Sequence, residues 1–409
     1  MINVTKLYCG LDSESDSLRY GQVLTRHDGA AAHPTDAQPH RVASSAGARR
    51  PIVVWTMSRR CNLHCVHCYS NSADRDYPGE LTVDDANRML EDLARFQIPA
   101  LLLSGGEPLY HPHLFELAGS ARRLGLRLTL STNGTLIDRT TAERIKQTGF
   151  SYVGISFDGL GALNDRFRGR RGAFDAALAG VRHLQTVGQK VGLRFTMTRR
   201  NFEALPNIFE LVEREGIHRV CFYHLVYSGR GARLAHDDLT HEETRQALDQ
   251  ICAWTRRLRE RNLSVEVLTV DNHVDGVYLY RKLLAEDSAR AEATRRLIEW
   301  NGGGANSSGI GIANIDAVGD VHPDQFWQTH RLGNVRERPF SEIWTSNDDA
   351  ILRGLRNRLP LLTGRCASCR WQAMCGGSFR VRALQATGDP WAADPACYLT
   401  DEEIAVVKG

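Results

Sequence analysis

The chain has 409 residues, of which 42% are hydrophobic and 24% charged, so it is long enough for one large domain with an appendage. The net charge of +3 argues neither for nor against nucleic acid, and no apolar run approaches the roughly 18 residues of a membrane span. The N-terminus lacks the features of a signal peptide, and ten cysteines are too sparse for a disulfide scaffold. We expect a cytoplasmic protein, with no nucleic-acid or membrane partner, whose clustered cysteines serve metal or redox chemistry.

The predicted elements begin after a linker. Residues 28 to 50 are rich in Ala, Ser, Gly and Pro, lack apolar periodicity and predict a flexible segment. From Pro51 onward, short apolar runs alternate with segments of helical period. Strands are predicted at 52–57, 100–105, 126–132, 152–158, 190–198 and 219–226. Helical segments are predicted at 82–96, 112–124, 137–147, 172–185 and 202–215.

Fully apolar strands that alternate with helices are typical of a parallel sheet buried on both faces. Six such units predict an α/β fold, either a barrel or a partial barrel, and the pattern leaves closure open. Helices at 241–261 and about 274–300 then precede a Gly-rich loop and a hairpin that turns near Gly319. We divide the chain into an N-terminal segment with linker (1–50), a barrel core (51–230), a helical connecting region (231–300) and a C-terminal extension (301–409).

Three cysteines, Cys61, Cys65 and Cys68, follow the first strand with the spacing CX3CX2C. The C-terminal end of a barrel strand is where such folds place their chemistry. A structural zinc site takes four protein ligands, and no fourth Cys or His stands at an obvious spacing. Three thiolates instead suit a [4Fe–4S] cluster with one iron open to a small ligand, because full cysteine ligation takes four.

This motif and the strand ends that follow it resemble the radical S-adenosylmethionine (SAM) superfamily over about residues 51 to 226. Ser104–Pro108 resembles the family's GGEP motif, and Ser131–Gly134 and Ser156–Gly159 end the next two predicted strands. The resemblance implies a partial (β/α)6 barrel in which Cys61, Cys65 and Cys68 hold the catalytic cluster. It also implies that SAM is bound by Gly105, Gly106, Glu107, Ser131, Asn133, Ser156, Asp158 and Arg194.

Four further cysteines lie near the C-terminus, at Cys366, Cys369, Cys375 and Cys397. Their spacing alone fits a closed zinc site and a closed iron–sulfur cluster equally well. The spacing resembles the SPASM extension of radical SAM enzymes, whose full form carries seven cysteines and two auxiliary clusters. Here Asp324 and Phe379 stand where two of those cysteines would be. The resemblance therefore implies one auxiliary [4Fe–4S] cluster, closed by four cysteines and suited to electron transfer.

Both ends of the chain resemble radical SAM enzymes of siroheme-derived haem biosynthesis. The matching runs are 3–10, 18–21, 53–55, 319–327, 332–344, 375–383 and 388–404. One branch is the 12,18-didecarboxysiroheme deacetylase, which removes acetates on the way to Fe-coproporphyrin III, and the N-terminal runs favour it. The other branch is pre-haem d1 synthase, which removes propionates. A radical SAM/SPASM peptide maturase is a further alternative, and a non-catalytic metal scaffold would not need the SAM-binding strand ends.

The resemblance implies a tetrapyrrole substrate and an electron donor such as ferredoxin or flavodoxin. Arginine forms bidentate contacts with carboxylates, so the candidate contacts to the macrocycle are Arg166, Arg168, Arg170, Arg171, Arg230, Arg380 and Arg382. Tyr223, Phe326 and Trp327 are candidates to stack on the ring, and His322 and His330 to meet its iron. We expect the run Gly302–Gly304 to leave room for the macrocycle where a second auxiliary cluster would lie, and Cys9 to be exposed.

Overall fold

A computed structural model describes residues 1–13, 16 and 50–406 of the chain. Eleven strands of this part form one sheet, in the order β1-β8-β7-β6-β5-β4-β3-β2-β9-β10-β11. They are β1 (Ile2–Asn3), β2 (Ile52–Thr56), β3 (Leu101–Ser104), β4 (Leu128–Thr132), β5 (Tyr152–Ser156), β6 (Val191–Met197), β7 (Arg219–His224), β8 (Glu266–Val270), β9 (Ile312–Ile315), β10 (Asp320–His322) and β11 (Gly333–Asn334). Strands β2 to β8 run parallel, each beside the next in sequence, and form the partial barrel.

Helices connect the parallel strands and cover the sheet. The α-helices are Val4–Leu7, Val83–Arg95, Leu114–Arg123, Arg139–Thr148, Gly161–Arg168, Ala173–Thr186, Leu205–Arg214, His241–Glu260, Val274–Glu286, Ser288–Trp300, Phe340–Thr345, Ala350–Arg356, Gln372–Cys375, Arg380–Thr387 and Asp401–Ile404. Helix Val83–Arg95 shows why they form: Thr82 and Asp85 make a capping box at its start, and its apolar stripe is buried. No helix within the described ranges is long and apolar enough to cross a membrane.

The six predicted strands and the five helical segments between them are confirmed. The hairpin is confirmed as well, since β10 pairs antiparallel with β9, which itself pairs parallel with β2. The expected helix at 274–300 is two helices, because Asp287 ends the first and caps the second with its side chain. Several elements were missed: strand β8, inside the region expected to be helical, and the short helix Gly161–Arg168. Also missed were β1 with helix Val4–Leu7, strand β11 and the short helices after residue 339.

The N-terminal residues belong to the sheet. Strand β1 pairs antiparallel with β8, and the Thr5 hydroxyl donates to Val265 O and accepts from Val267 N. Cys9 is buried, so its expected exposure was wrong. The predicted linker, except for Arg50, and the 18–21 run lie outside the described residues. One sheet takes strands from all four predicted parts of the chain and so does not separate them. The four-part division therefore stays a prediction.

A buried ion pair joins the C-terminal extension to the barrel. Arg382 and Asp394 are fully buried, and the two N···O distances between them are 2.8 and 2.9 Å. Arg382 also donates to the carbonyls of Leu225 and Asp271, just beyond the ends of β7 and β8. Burial favours a higher pKa for Asp394, but Arg382 outweighs it and lowers the pKa to about 2. Arg382 is therefore committed to the fold and is not free to bind substrate.

We expect Asp394→Asn to loosen the extension, because breaking a buried ion pair costs about 3–5 kcal/mol. The depressed pKa means that the stabilisation is complete above about pH 4 and is lost as the pH falls toward 2. Thermal unfolding and limited proteolysis at pH 7.5 would measure the effect. The matched control is Asp401→Asn, which removes the pair of an 87% exposed carboxylate with Arg365 and should change little. Equal losses in both variants would contradict the role of the buried pair.

Candidate active site

A cavity opens at the C-terminal ends of the parallel strands, with an empty volume of about 1200 Å³ that is partly open to solvent. The predicted site residues on its wall are Cys61, Cys65, Cys68, Gly105, Gly106, Ser131, Asn133, Ser156 and Arg194. Side chains not singled out from the sequence also line it, namely Tyr69, Ser70, Thr196, His224, Asp271 and Gln325. Thr196 could have been found because it lies two residues after Arg194 in the same strand, and Asp271 because it follows the β-branched run of β8.

Backbone packing against two glycines shapes the start of the cysteine loop. Gly106 N–H donates to Ser58 O at 2.8 Å, and Glu107 N–H donates to Arg60 O at 2.9 Å. A Cβ at Gly105 would overlap Ser58 O, and one at Gly106 would overlap Arg60 O. Only glycine permits this approach, so the GGE sequence holds the segment that leads directly into Cys61.

The far end of the loop is held by the segment after β7. The backbone of Gly229 packs so closely on Tyr69 O that a Cβ would overlap it. Arg230 donates through Nε to Cys65 O at 2.7 Å and through a terminal nitrogen to Ser72 O at 2.8 Å. The cysteine loop is thereby clamped from two sides, and Arg230 contributes to the clamp as well as to the cavity wall.

Glu107 lies behind the cavity wall. Its side chain is fully buried, Oε1 accepts from Leu109 N and the Thr132 hydroxyl, and Oε2 accepts from Asn133 N at 2.7 Å. Burial raises the pKa of Glu107, and these three hydrogen bonds oppose that rise. The carboxylate therefore ties the end of β3 to the end of β4, and its contact with the SAM amino group stays a prediction.

Asp158 is also fully buried behind the wall and acts on the cavity through Arg168. A carboxylate oxygen of Asp158 lies 2.6 Å from a guanidinium nitrogen of Arg168 and 3.3 Å from His67 Nε2. Arg168 in turn donates to Cys65 Sγ at 3.7 Å. Burial lowers the pKa of His67, so this imidazole is neutral at physiological pH. Arg168 thus supports a cysteine of the CX3CX2C motif, a role that the sequence pattern did not reveal.

The three cysteines of the loop form a site that favours a cationic cofactor. Burial raises the pKa of the Cys61 thiol to about 12 and also raises that of Cys65, while Arg168 opposes the rise at Cys65. Buried thiols stay protonated unless a metal centre takes the place of the proton. Asn133 and the backbone N–H of Leu63 donate weakly to Cys61 Sγ, at 3.9 and 3.4 Å. These donors fit a thiolate sulfur that carries charge.

The four cysteines of the extension lie near one another. Burial raises the pKa of the Cys375 thiol, and Cys397, Cys366 and Cys369 raise it further. Within the described ranges, no three His, Cys, Asp or Glu side chains converge on a point that suits a single metal ion. A [4Fe–4S] cluster places each cysteine on a different iron, so it does not need such convergence.

The Gly-rich run beside these cysteines is closely packed, and our expectation that it leaves room for a macrocycle was wrong. A Cβ at Gly304 would overlap Cys375 O, and a Cβ at Gly303 would lie 2.5 Å from Ala373 O. Asp324, at the position of a missing cysteine, is buried and accepts a hydrogen bond from the Ser308 hydroxyl. Backbone atoms and a hydrogen bond therefore fill the immediate surroundings of the Gly-rich run and of Asp324.

The remaining substrate candidates divide by location. Tyr223 and Phe326 line the cavity, and Phe326 makes an edge contact with Tyr69 at 5.2 Å between ring centroids. The other candidates lie outside the cavity wall. Trp327 packs in a small core cluster, the His322 ring bonds His330 O and lies near Asp316, and the His330 ring bonds Asp349. Arg166, Arg170 and Arg171 are exposed, and Arg380 and Arg382 are fully buried.

Comparison with known proteins agrees with this geometry. Residues 55–212 match the radical SAM superfamily, and residues 308–370 match SPASM, an iron–sulfur cluster-binding domain. The chain is 50% identical to Fe-coproporphyrin III synthase of Methanosarcina barkeri, over 99% of both chains. It is 49% identical to pre-heme d1 synthase of Dinoroseobacter shibae, over 91% of this chain and 90% of that one.

Among solved structures, Streptococcus suis SuiB bound to its precursor peptide SuiA has the same fold, with a TM-score of 0.66 and 19% identity over 86% of this chain and 76% of that one. The SPASM match includes Cys366 and Cys369 and ends before Cys375 and Cys397. Identity of this extent to two haem-pathway synthases goes well beyond a shared fold. The chain belongs to the radical SAM superfamily, as a SPASM-bearing relative of Fe-coproporphyrin III synthase and pre-heme d1 synthase.

Proposed function

We propose that this chain forms Fe-coproporphyrin III by removing acetate side chains from 12,18-didecarboxysiroheme. The observation that carries the proposal is the 50% identity to Fe-coproporphyrin III synthase over 407 residues. A match of that length includes the N-terminal runs that favoured the deacetylase branch from the sequence, and strand β1 at their start pairs with β8. Removal of propionates is the second candidate, supported by the 49% identity to pre-heme d1 synthase.

We propose two [4Fe–4S] clusters as resident cofactors. Cys61, Cys65 and Cys68 would hold the first, with one iron open to SAM. Cys366, Cys369, Cys375 and Cys397 would close the second. When bound and reduced, the first cluster together with SAM supplies a 5′-deoxyadenosyl radical for hydrogen abstraction. The buried thiols beside Arg168 and the two matched domains support this assignment.

The chain's own residues would bind and orient SAM. The Arg194 side chain extends from β6 over Gly154 of β5 and donates to the Ser131 hydroxyl of β4. Its Nε is buried without a protein partner in the described part of the chain. A guanidinium with a free donor suits the SAM carboxylate. Gly105, Gly106, Asn133 and Ser156 would meet the rest of SAM. We keep Glu107 and Asp158 as predicted SAM contacts; from behind the wall, Glu107 also positions Asn133 and Asp158 positions Arg168.

Other residues of the cavity wall would bind the tetrapyrrole. Tyr223 and Phe326 present aromatic surface to the cavity, while Leu225 and Val226 help to exclude water from it. Of the arginines expected to meet the substrate carboxylates, Arg168 and Arg230 line the cavity. We also propose a cytoplasmic location, a ferredoxin or flavodoxin as electron donor, no nucleic-acid or membrane partner, and the four-part division of the chain.

Anaerobic turnover with 12,18-didecarboxysiroheme, SAM and a low-potential reductant would test the function. We expect mass spectrometry to show the loss of two acetate side chains and the formation of Fe-coproporphyrin III. A product that retains its acetates and lacks propionates would favour the second candidate. SAM cleavage without any change in the tetrapyrrole would contradict both and would direct attention to a peptide substrate.

Cys61→Ala should abolish formation of 5′-deoxyadenosine, because it removes one of three ligands of the catalytic cluster. The assay is chromatography of reconstituted protein with SAM and dithionite. Cys252→Ala, which removes a buried thiol outside both cysteine sets, serves as the control and should retain activity. Undiminished 5′-deoxyadenosine from Cys61→Ala would rule out the cluster assignment.

Gly106→Ala should also impair the catalytic cluster, because its Cβ would overlap Arg60 O and displace the loop that carries Cys61. We expect iron content and the SAM-responsive cluster signal to fall while the four-cysteine cluster remains. Gly119→Ala, in an outer helix where a Cβ would meet only the flexible end of Arg123 at 3.5 Å, is the matched control. Normal iron content in Gly106→Ala would show that the loop tolerates the displacement.

A further inference from the structure

Arg380 is a fully buried cation with unused donors. One terminal nitrogen donates to Pro390 O at 3.1 Å and to Ala392 O at 2.7 Å. Nε and the other terminal nitrogen are buried and have no hydrogen-bond partner within residues 1–13, 16 and 50–406. Because a buried, incompletely bonded charge is costly, an anionic acceptor is expected beside these donors.

The nearby carboxylate of Asp394 is already engaged. It pairs through both oxygens with Arg382, and it also accepts hydrogen bonds from the backbone N–H groups of Phe379 and Ala396. Arg380 forms no ion pair with Asp394, and its positive charge only helps to lower the Asp394 pKa from a distance. The anion that complements Arg380 must therefore come from another group.

The four-cysteine set lies next to the guanidinium. The carbonyls that Arg380 binds, Pro390 O and Ala392 O, lie just before Asp394 in the chain, and the backbone N–H of Asp394 donates to the Cys366 sulfur. The chain after Cys375 reverses through three residues of positive φ, Gly376 (60°), Gly377 (75°) and Ser378 (59°). This turn returns Arg380 toward the cysteine ligands, and a Cβ at Gly377 would lie 3.2 Å from Arg380 Cζ.

We propose that Arg380 donates its free N–H groups to sulfur atoms of the auxiliary cluster and thereby raises the cluster's reduction potential. The inference rests on the proposed second cluster and adds a residue that sets its redox behaviour. A cluster bound by four thiolates is anionic and gains a further negative charge on reduction. A buried cation stabilises the reduced state more than the oxidised one, because little water screens it.

Arg370 provides a matched comparison within the same chain. It follows Cys369 directly and acts on that thiol through its charge, as Arg380 acts on Cys366. Arg370 is exposed, however, so that water and salt screen its field. The two arginines therefore separate the effect of a buried, hydrogen-bonding guanidinium from that of a surface charge near the cluster.

The first test is an EPR-monitored redox titration of the reconstituted holoenzyme. Arg380→Gln should shift the auxiliary midpoint potential downward, Arg380→Lys should shift it less, and Arg370→Gln should leave it near the wild-type value. The three-cysteine cluster, identified by its response to SAM, should keep its potential in every variant and so reports that the fold is intact. An unchanged auxiliary potential in Arg380→Gln would overturn the inference.

The second test begins with the wild-type protein and uses the variants only to assign the signal. Wild-type protein labelled with [guanidino-15N]arginine should show 15N hyperfine coupling in the auxiliary cluster signal, measured by pulsed EPR. That coupling should disappear in labelled Arg380→Lys and persist in labelled Arg370→Lys. Absence of coupling in the wild type, or its persistence in Arg380→Lys, would overturn the assignment. If iron analysis finds only the SAM-responsive cluster, the proposed auxiliary cofactor itself fails, which these spectra distinguish from loss of the Arg380 contact.

Discussion

Close packing of glycine backbone against carbonyl oxygens is the constraint on which the cysteine loop depends. The residues from Ser58 to Ser72 contain no helix and no regular strand, and their own backbone pairing is limited to an isolated bridge between Arg60 and Ala73 and a few turn hydrogen bonds, so the loop relies on packing for its shape. Gly105 and Gly106 fix one side and Gly229 the other, at distances that exclude a Cβ. The same device recurs where Gly304 meets Cys375. Cysteines of both proposed cluster sites are thus positioned by residues that have no side chain.

Two buried ion pairs use a carboxylate to position an arginine. Asp158 holds Arg168 beside Cys65, and Asp394 holds Arg382 across the ends of β7 and β8. In each pair a carboxylate orients a guanidinium, and the guanidinium then organises atoms that the carboxylate does not reach. Arg380 differs because, within the described residues, no carboxylate accepts hydrogen bonds from its Nε and its second terminal nitrogen. The contrast separates arginines paired with a carboxylate of the protein from one whose buried donors we propose to be paired with a cofactor.

The sequence predicted most of the barrel and of the cavity wall, for a physical reason. Strands buried on both faces read as apolar runs, and parallel strands bring the residues that follow them to one edge. Strand β8 was missed because its run lies between two long helices, and with it Asp271 was missed. The arginines predicted to bind the substrate were placed wrongly more often than the strands were. An arginine that could bind a substrate carboxylate can equally well pair with a carboxylate or carbonyl of the protein itself. Arg382 and Arg380 matched the expected residue type and are fully buried.

The pairing of the sheet edges has a consequence for how the molecule is made. Ile2 pairs with Thr269, and Ile52 pairs with Ile312, so segments far apart in the chain complete both edges of the β2–β8 block. Strand β1 is synthesised before β8 and finds this partner only after the barrel units between them have been synthesised. Until then, unpaired strand edges stay open to pairing with other chains. The four cysteines of the proposed auxiliary site and the strand that flanks β2 are synthesised after the barrel units, so this sheet edge and this site can be completed only late in synthesis.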